Sequence, residues 1–149
     1  MKTTIQSLVF AAAISLLPFT AIAQSSDHEA VDAVRKNFMR AYITADNTLA
    51  TEVFRKDGVM IGYSVARGSE LLTRTGEQFA EGFNGKPAAD EAKRKRSYEI
   101  VDMAENLAAV RVMLDYPGWR GVDYVVLLKV DGKWMIMSKS WTGTLTQKP

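Results

Sequence analysis

The chain has 149 residues and balances 19 Lys and Arg against 17 Asp and Glu, leaving a net charge of +2. That is enough chain for one core, without the basic excess of a nucleic-acid binder or an acidic tail. It has no Cys and a single His, His28, which removes disulfides, thiolate chemistry and Cys nucleophiles and argues against histidine triads and multi-histidine metal sites. No metal and no cofactor is expected.

Lys2, the apolar run from Ile5 to Phe19 and the Ala21-Ile22-Ala23 cleavage signal read as a secretory leader. The expected cut follows Ala23, so residues 1–23 are a signal peptide and residues 24–149 form one domain in the periplasm or outside the cell, with no stable membrane anchor. Ser26-Asp-His-Glu29 has the spacing of a capping box, and Ala30, Val31, Val34, Phe38, Tyr42 and Ile43 follow at helical spacing. They predict a helix from about Asp27 to Thr44 with Arg35, Lys36, Asn37 and Arg40 on its polar face. Asp46 or Asn47 caps a short second helix through Leu49, Val53 and Phe54. Val59–Ser64 reads as a strand, and Ser69 as the cap of a third helix from Glu70 to about Ala80.

Glu81–Asp90 has loop chemistry, and Lys93-Arg-Lys-Arg96 reads as a solvated helix or a guarded edge strand, with anion or membrane-surface binding as the alternative. Three strands follow, Ser97–Met103, Leu107–Tyr116 and Trp119–Val130, turning at Glu105-Asn106 and Pro117-Gly118. The last strand, Lys133 to about Thr144, is joined to its predecessor by Asp131-Gly132, a strong type I′ hairpin signal. Helices come first and strands last, α-α-β-α-β-β-β-β, which predicts an α+β fold with helices on one face of a mostly antiparallel sheet.

An unbroken two-residue hairpin pairs Leu127 with Ile136, Val125 with Ser138 and Asp123 with Ser140 on one face. The other face then carries Tyr124, Val126, Leu128, Met135, Met137 and Trp141, an apolar set left for a partner copy in a homodimer through the sheet.

The hairpin Asp123–Trp141, ending in Gly132-Lys133-Trp134-x-Ile136, resembles the NTF2-like superfamily, and more narrowly its exported "putative lumazine-binding" group near the SnoaL-like cyclases and ketosteroid isomerases. The resemblance implies a cone, a curved sheet around the first helix with a pocket at its open end. Trp134 and Ile136 then face inward and put Asp123, Val125, Leu127, Ser138 and Ser140 on the pocket side, with Phe38, Tyr42, Phe54, Tyr63, Tyr116 and Trp119 as further candidate lining. Asp123 is the first candidate for a general base, its pKa raised by burial, or else it hydrogen-bonds Ser140 at the strand's end. Tyr42 or Tyr63 is the candidate hydrogen-bond donor to an oxyanion. Asp115 leans inward beside Trp119 as a second possible base, whereas Arg111 on the same strand face is assigned to neither side. Three functions remain open: an exported non-catalytic small-molecule binder, an isomerase, cyclase or dehydratase using an Asp base and a Tyr donor, and a protein-interaction module using the convex sheet.

Overall fold

The computed structural model describes residues 19–64 and 69–146, with side chains for residues 26–63 and 69–146; most of the expected leader lies outside them. α1 (Phe19–Thr44) and α2 (Asn47–Val53) are followed by β1 (Phe54–Ser64), β2 (Glu70–Thr75) and α3 (Gly76–Ala80). After a single 3-10 turn at Glu91–Lys93 come β3 (Lys95–Ala104), β4 (Leu107–Tyr116), β5 (Trp119–Val130) and β6 (Lys133–Leu145). The six strands form one sheet in the order β2-β1-β6-β5-β4-β3, antiparallel throughout except for the parallel β1–β6 pair. This is the α+β arrangement of an NTF2-like cone.

The inward stripe of α1 is Val31, Phe38, Met39, Ala41 and Tyr42, and it packs against Val110, Val112, Val125, Leu127, Trp134 and Ile136 of the concave sheet face. Arg35 belongs to this stripe, not to the polar face where helical spacing put it. It is buried beneath the Tyr98 ring and paired with Asp32. Nor is there a capping box at Ser26, because α1 runs through that position from Phe19. Asp27 instead reaches the sheet: its Oδ1 accepts from Lys129 Nζ at 2.7 Å and from Trp134 Nε1 at 3.0 Å. The expected cap at Asp46 is present, its carboxylate accepting from the backbone N–H groups of Thr48 and Leu49.

The third predicted helix is mostly strand. Glu70–Thr75 pairs with β1, and only Gly76–Ala80 is helical, opened by a capping box between Thr75 and Gln78. Leu71 and Leu72, spaced as a helix face, lie on opposite sides of β2, with Leu71 67% exposed and Leu72 turned to the concave side. A short apolar run fits either period, and here sheet pairing decides.

The hairpin turn is as the sequence predicts: Asp131 and Gly132 both have positive φ, 51° and 78°. The pairing holds through Leu127–Ile136 and then slips by one residue, so that Val126 faces Ser138, Val125 faces Lys139 and Asp123 faces Trp141. Met137 is the extra residue of a bulge. Because side chains alternate with a period of two, one inserted residue exchanges the faces of everything beyond it. Lys139 and Trp141 therefore turn inward, and Ser138 and Ser140 turn outward.

Candidate functional site

The bulge builds the site. Opposite Val125, Lys139 lies diagonal to Asp123 on the concave face, where residues two positions apart across a ladder still meet. Lys139 Nζ is 3.1 Å from Asp123 Oδ2, and the two side chains are 3% and 1% exposed. Beyond this ammonium, neither carboxylate oxygen has a hydrogen-bond partner among the described residues. Burial pushes the Asp123 carboxyl above its ordinary value, and Lys139 only partly opposes that. Burial likewise pulls the Lys139 ammonium down, against the opposing pull of Asp123.

This pair forms the floor of a cleft of about 270 Å³ whose walls include Tyr42, Phe79, Tyr116, Trp119 and Trp141. Lys139 Nζ sits 4.2 Å from the Trp141 ring centroid and 5.0 Å from that of Phe79. The walls continue into the core through ring contacts of 5.9 Å between Phe79 and Trp141, 5.3 Å between Tyr42 and Phe83, and 5.0 Å between Phe38 and Tyr42. Burial and the Asp123 charge together hold the Tyr42 phenol well above its usual range.

Glycines seat the two tryptophans. A Cβ on Gly62 would lie 2.0 Å from the Trp141 indole, and one on Gly121 or Gly143 would lie 2.0 or 2.1 Å from that of Trp119. Each indole lies against bare backbone, where no side chain would fit.

Arg74, opposite Met60 on β2, lines the mouth and makes no ion pair among the described residues. Among the described residues, the cleft carries an ion pair at its floor and, at its rim, a guanidinium without an ion-pair partner. No group of three or more potential metal ligands occurs among the described residues.

Several sequence-predicted site residues lie elsewhere. Asp115 is on the convex face, half-exposed and 3.1 Å from Arg120, and Arg111 pairs with Glu99 on that same face. Tyr63 alternates with Met60 and Gly62, and is 45% exposed on the outer side of β1. Ser138 and Ser140 are displaced outward by the bulge, so Ser140 offers Asp123 no hydrogen bond. Trp141, assigned to the outer apolar face, lines the cleft. Phe38, Phe54, Val125, Leu127 and Ile136 point inward as core beneath the cleft, while Asp123, Tyr42, Tyr116 and Trp119 meet in its lining.

The sequence does not single out Lys139, Arg74 or Leu114, and it offers Leu72 and Phe79 only as inward residues of the third helix, not as cleft lining. One signal was available. Trp134 and Ile136 alternate in one phase and Lys139, Trp141 and Gly143 in the other, and this change of phase within a strand marks a bulge.

Comparison with solved structures places the fold among NTF2-like proteins. One of unknown function from Silicibacter pomeroyi superposes with a TM-score of 0.69 at 21% identity, covering 81% of this chain and 98% of that one. Another from Methylobacillus flagellatus gives 0.67 at 23% identity, covering 80% and 93%. A protein described as "Putative Scytalone Dehydratase" from Novosphingobium aromaticivorans gives 0.58 at 15% identity, covering 87% and 91%. No curated protein matches. The family model described as "Putative lumazine-binding" matches residues 26–142, and the chain belongs to that family.

Proposed function

We propose that the protein is an exported small-molecule binder, and that its ligand is a planar compound held between Trp119, Trp141, Phe79 and Tyr42. The observation that carries this reading is the Asp123–Lys139 pair, buried to 1% and 2% exposure at the floor of an aromatic cleft, with no hydrogen-bond partner for the carboxylate beyond Lys139 among the described residues. Desolvating two charges can cost more than their attraction returns, so a buried pair points to a use other than stability. A ligand edge with an adjacent donor and acceptor, such as a lactam N–H beside a carbonyl, matches a carboxylate beside an ammonium. Lumazine, named in the family description, has such edges. An engineered cavity of about 150 Å³ admits a single benzene ring, so 270 Å³ suits a two-ring compound. Arg74, without an ion-pair partner among the described residues, favours a ligand with negative charge or a carbonyl at its outer edge.

A second reading is acid–base catalysis of an isomerase or dehydratase kind. A carboxyl raised by burial beside a Tyr-lined cleft is suited to take a proton from a bound substrate, with Tyr42 near enough to feel the Asp123 charge. In either case export implies that the mature chain starts at Gln24, and the outer sheet face, with Tyr124 54% exposed, pairs two copies.

Native mass spectrometry of the protein purified from its exported fraction, followed by solvent extraction, tests the binding reading. A small aromatic compound retained by the wild type and absent from Asp123→Leu/Lys139→Met supports it. Equal retention by both proteins contradicts it. N-terminal sequencing of the same material checks the cut before Gln24.

A further inference from the structure

Beside the floor pair, the Tyr116 hydroxyl is the most closely specified polar group of the cleft wall. It accepts a hydrogen bond from Arg96 Nε at 2.8 Å. Arg96 is itself held fast, its side chain only 7% exposed and its far edge gripped by both carboxylate oxygens of Glu91, with Nη2 to Oε2 at 3.0 Å. Arg94, tied to Asp90 at 2.8 Å, lays a second guanidinium 4.5 Å from the centroid of the same ring. This gives the Lys93–Arg96 run a different use from strand guarding: two of its cations grip one tyrosine of the cleft.

The chemistry of the bond fixes a direction. A guanidinium only donates, so the Tyr116 oxygen must be the acceptor, and its own proton must leave along another line. Tyr116 lines the cleft, where the ligand would lie. An N–H bond from a cation also draws electron density from the oxygen and makes the phenol a stronger donor. We propose that Glu91 and Arg96 are positioning residues that present the Tyr116 hydroxyl as a hydrogen-bond donor to a carbonyl or phenolate oxygen of the ligand. This deepens the binding reading above and rests on it. Of the two donors expected from the sequence, Tyr63 lies on the outer face, and the role passes from Tyr42 to its cleft neighbour Tyr116.

The test has a ligand-free arm and a ligand arm. In the first, the tyrosines are labelled with ¹³C at Cζ and titrated by NMR, with Tyr116→Phe assigning the Tyr116 signal. Burial holds the Tyr116 phenol above its ordinary value while Arg96 pulls it down. Arg96→Met should therefore move its titration to higher pH, Arg96→Lys should restore part of the shift, and Glu91→Gln should move it less than Arg96→Met. A Tyr116 titration unchanged by Arg96→Met, or by Arg96→Lys should the methionine variant not fold, would overturn the proposal. In the second arm, lumazine binding is measured by tryptophan fluorescence. Tyr116→Phe should weaken it about tenfold, the size of one lost hydrogen bond to a polarised donor. Tyr116→Phe binding as tightly as the wild type overturns the donor role. If the wild type binds no lumazine while the titration still shifts, the binding reading fails and the donor role fails with it, leaving only the Arg96–Tyr116 bond.

Discussion

At the scale of single residues the decisive feature is an ion pair that stability alone does not explain. The folded state raises the Asp123 pKa, so this group favours folding below its unfolded value of 3.8 and that contribution is lost as pH rises through the raised folded value. The folded state lowers the Lys139 pKa, so its contribution is present above 10.5 and is lost as pH falls through the lowered value. In both groups it is the charged form that burial disfavours. Replacing the pair together with Asp123→Leu/Lys139→Met should raise stability by about 1–4 kcal/mol, as buried pairs replaced by apolar residues often do. Asp123→Leu alone strands a buried ammonium and should cost about 3–5 kcal/mol at pH 7, with stability recovering as pH rises and Lys139 sheds its proton. Urea denaturation of both variants across pH measures this, and a double variant less stable than wild type would show that the pair is structural. Asp27 has the opposite sign. Its hydrogen bonds from Lys129 and Trp134 lower its pKa, so its contribution is present above 3.8 and fades as acid protonates it, a fading that Asp27→Asn should abolish.

At the scale of elements, β6 determines what the cleft contains. Its bulge at Met137 brings Lys139 and Trp141 inside, and β1 is irregular at the same level, shifting register between Phe54 and Val59 against β6. The glycine seats depend on that register. Gly121→Ala should push the Trp119 indole from the wall at a cost of about 1–3 kcal/mol, the usual range for overpacking. A thermal melt together with a red-shifted tryptophan emission would register the move, and an unchanged spectrum would mean the indole had another place to lie. Much of this level was legible beforehand. Asp131-Gly132 specifies the hairpin turn and Asp123 is an inward carboxylate, while the spacing from Val31 to Tyr42 gives most of the inward side of α1 but misses Arg35 and wrongly adds Ile43, which is 47% exposed. The limit came at the bulge, because an insertion in the ladder is set by tertiary packing while turn chemistry specifies register only from the loop outward. Leu71 and Leu72 failed for a related reason, since six residues are too few to separate the helical period from the strand period.

For the whole molecule, the cone divides its sheet between two tasks. The concave face holds α1 and the cleft. The convex face holds Tyr124, Met113 and Leu107, interrupted by the Arg111–Glu99 and Asp115–Arg120 pairs. That mixture is more polar than the apolar set the unbroken register implied, because Trp141 has left it and Ser138 and Ser140 have joined. A homodimer through this face predicts twice the chain mass in light scattering at micromolar concentration, reduced to the single mass by Tyr124→Glu, which places a charge in the contact. A monomeric wild type would remove the dimer and leave the cleft reading intact.

The most direct test of the cleft is a fluorescence titration of lumazine into the wild-type protein and into Asp123→Leu/Lys139→Met, since Trp119 and Trp141 stand in the cleft wall as reporters. Saturable quenching in the wild type, weakened at least about tenfold in the variant, is the expected result. No saturable quenching in the wild type, or equal quenching in both proteins, would contradict a ligand site built on the Asp123–Lys139 pair.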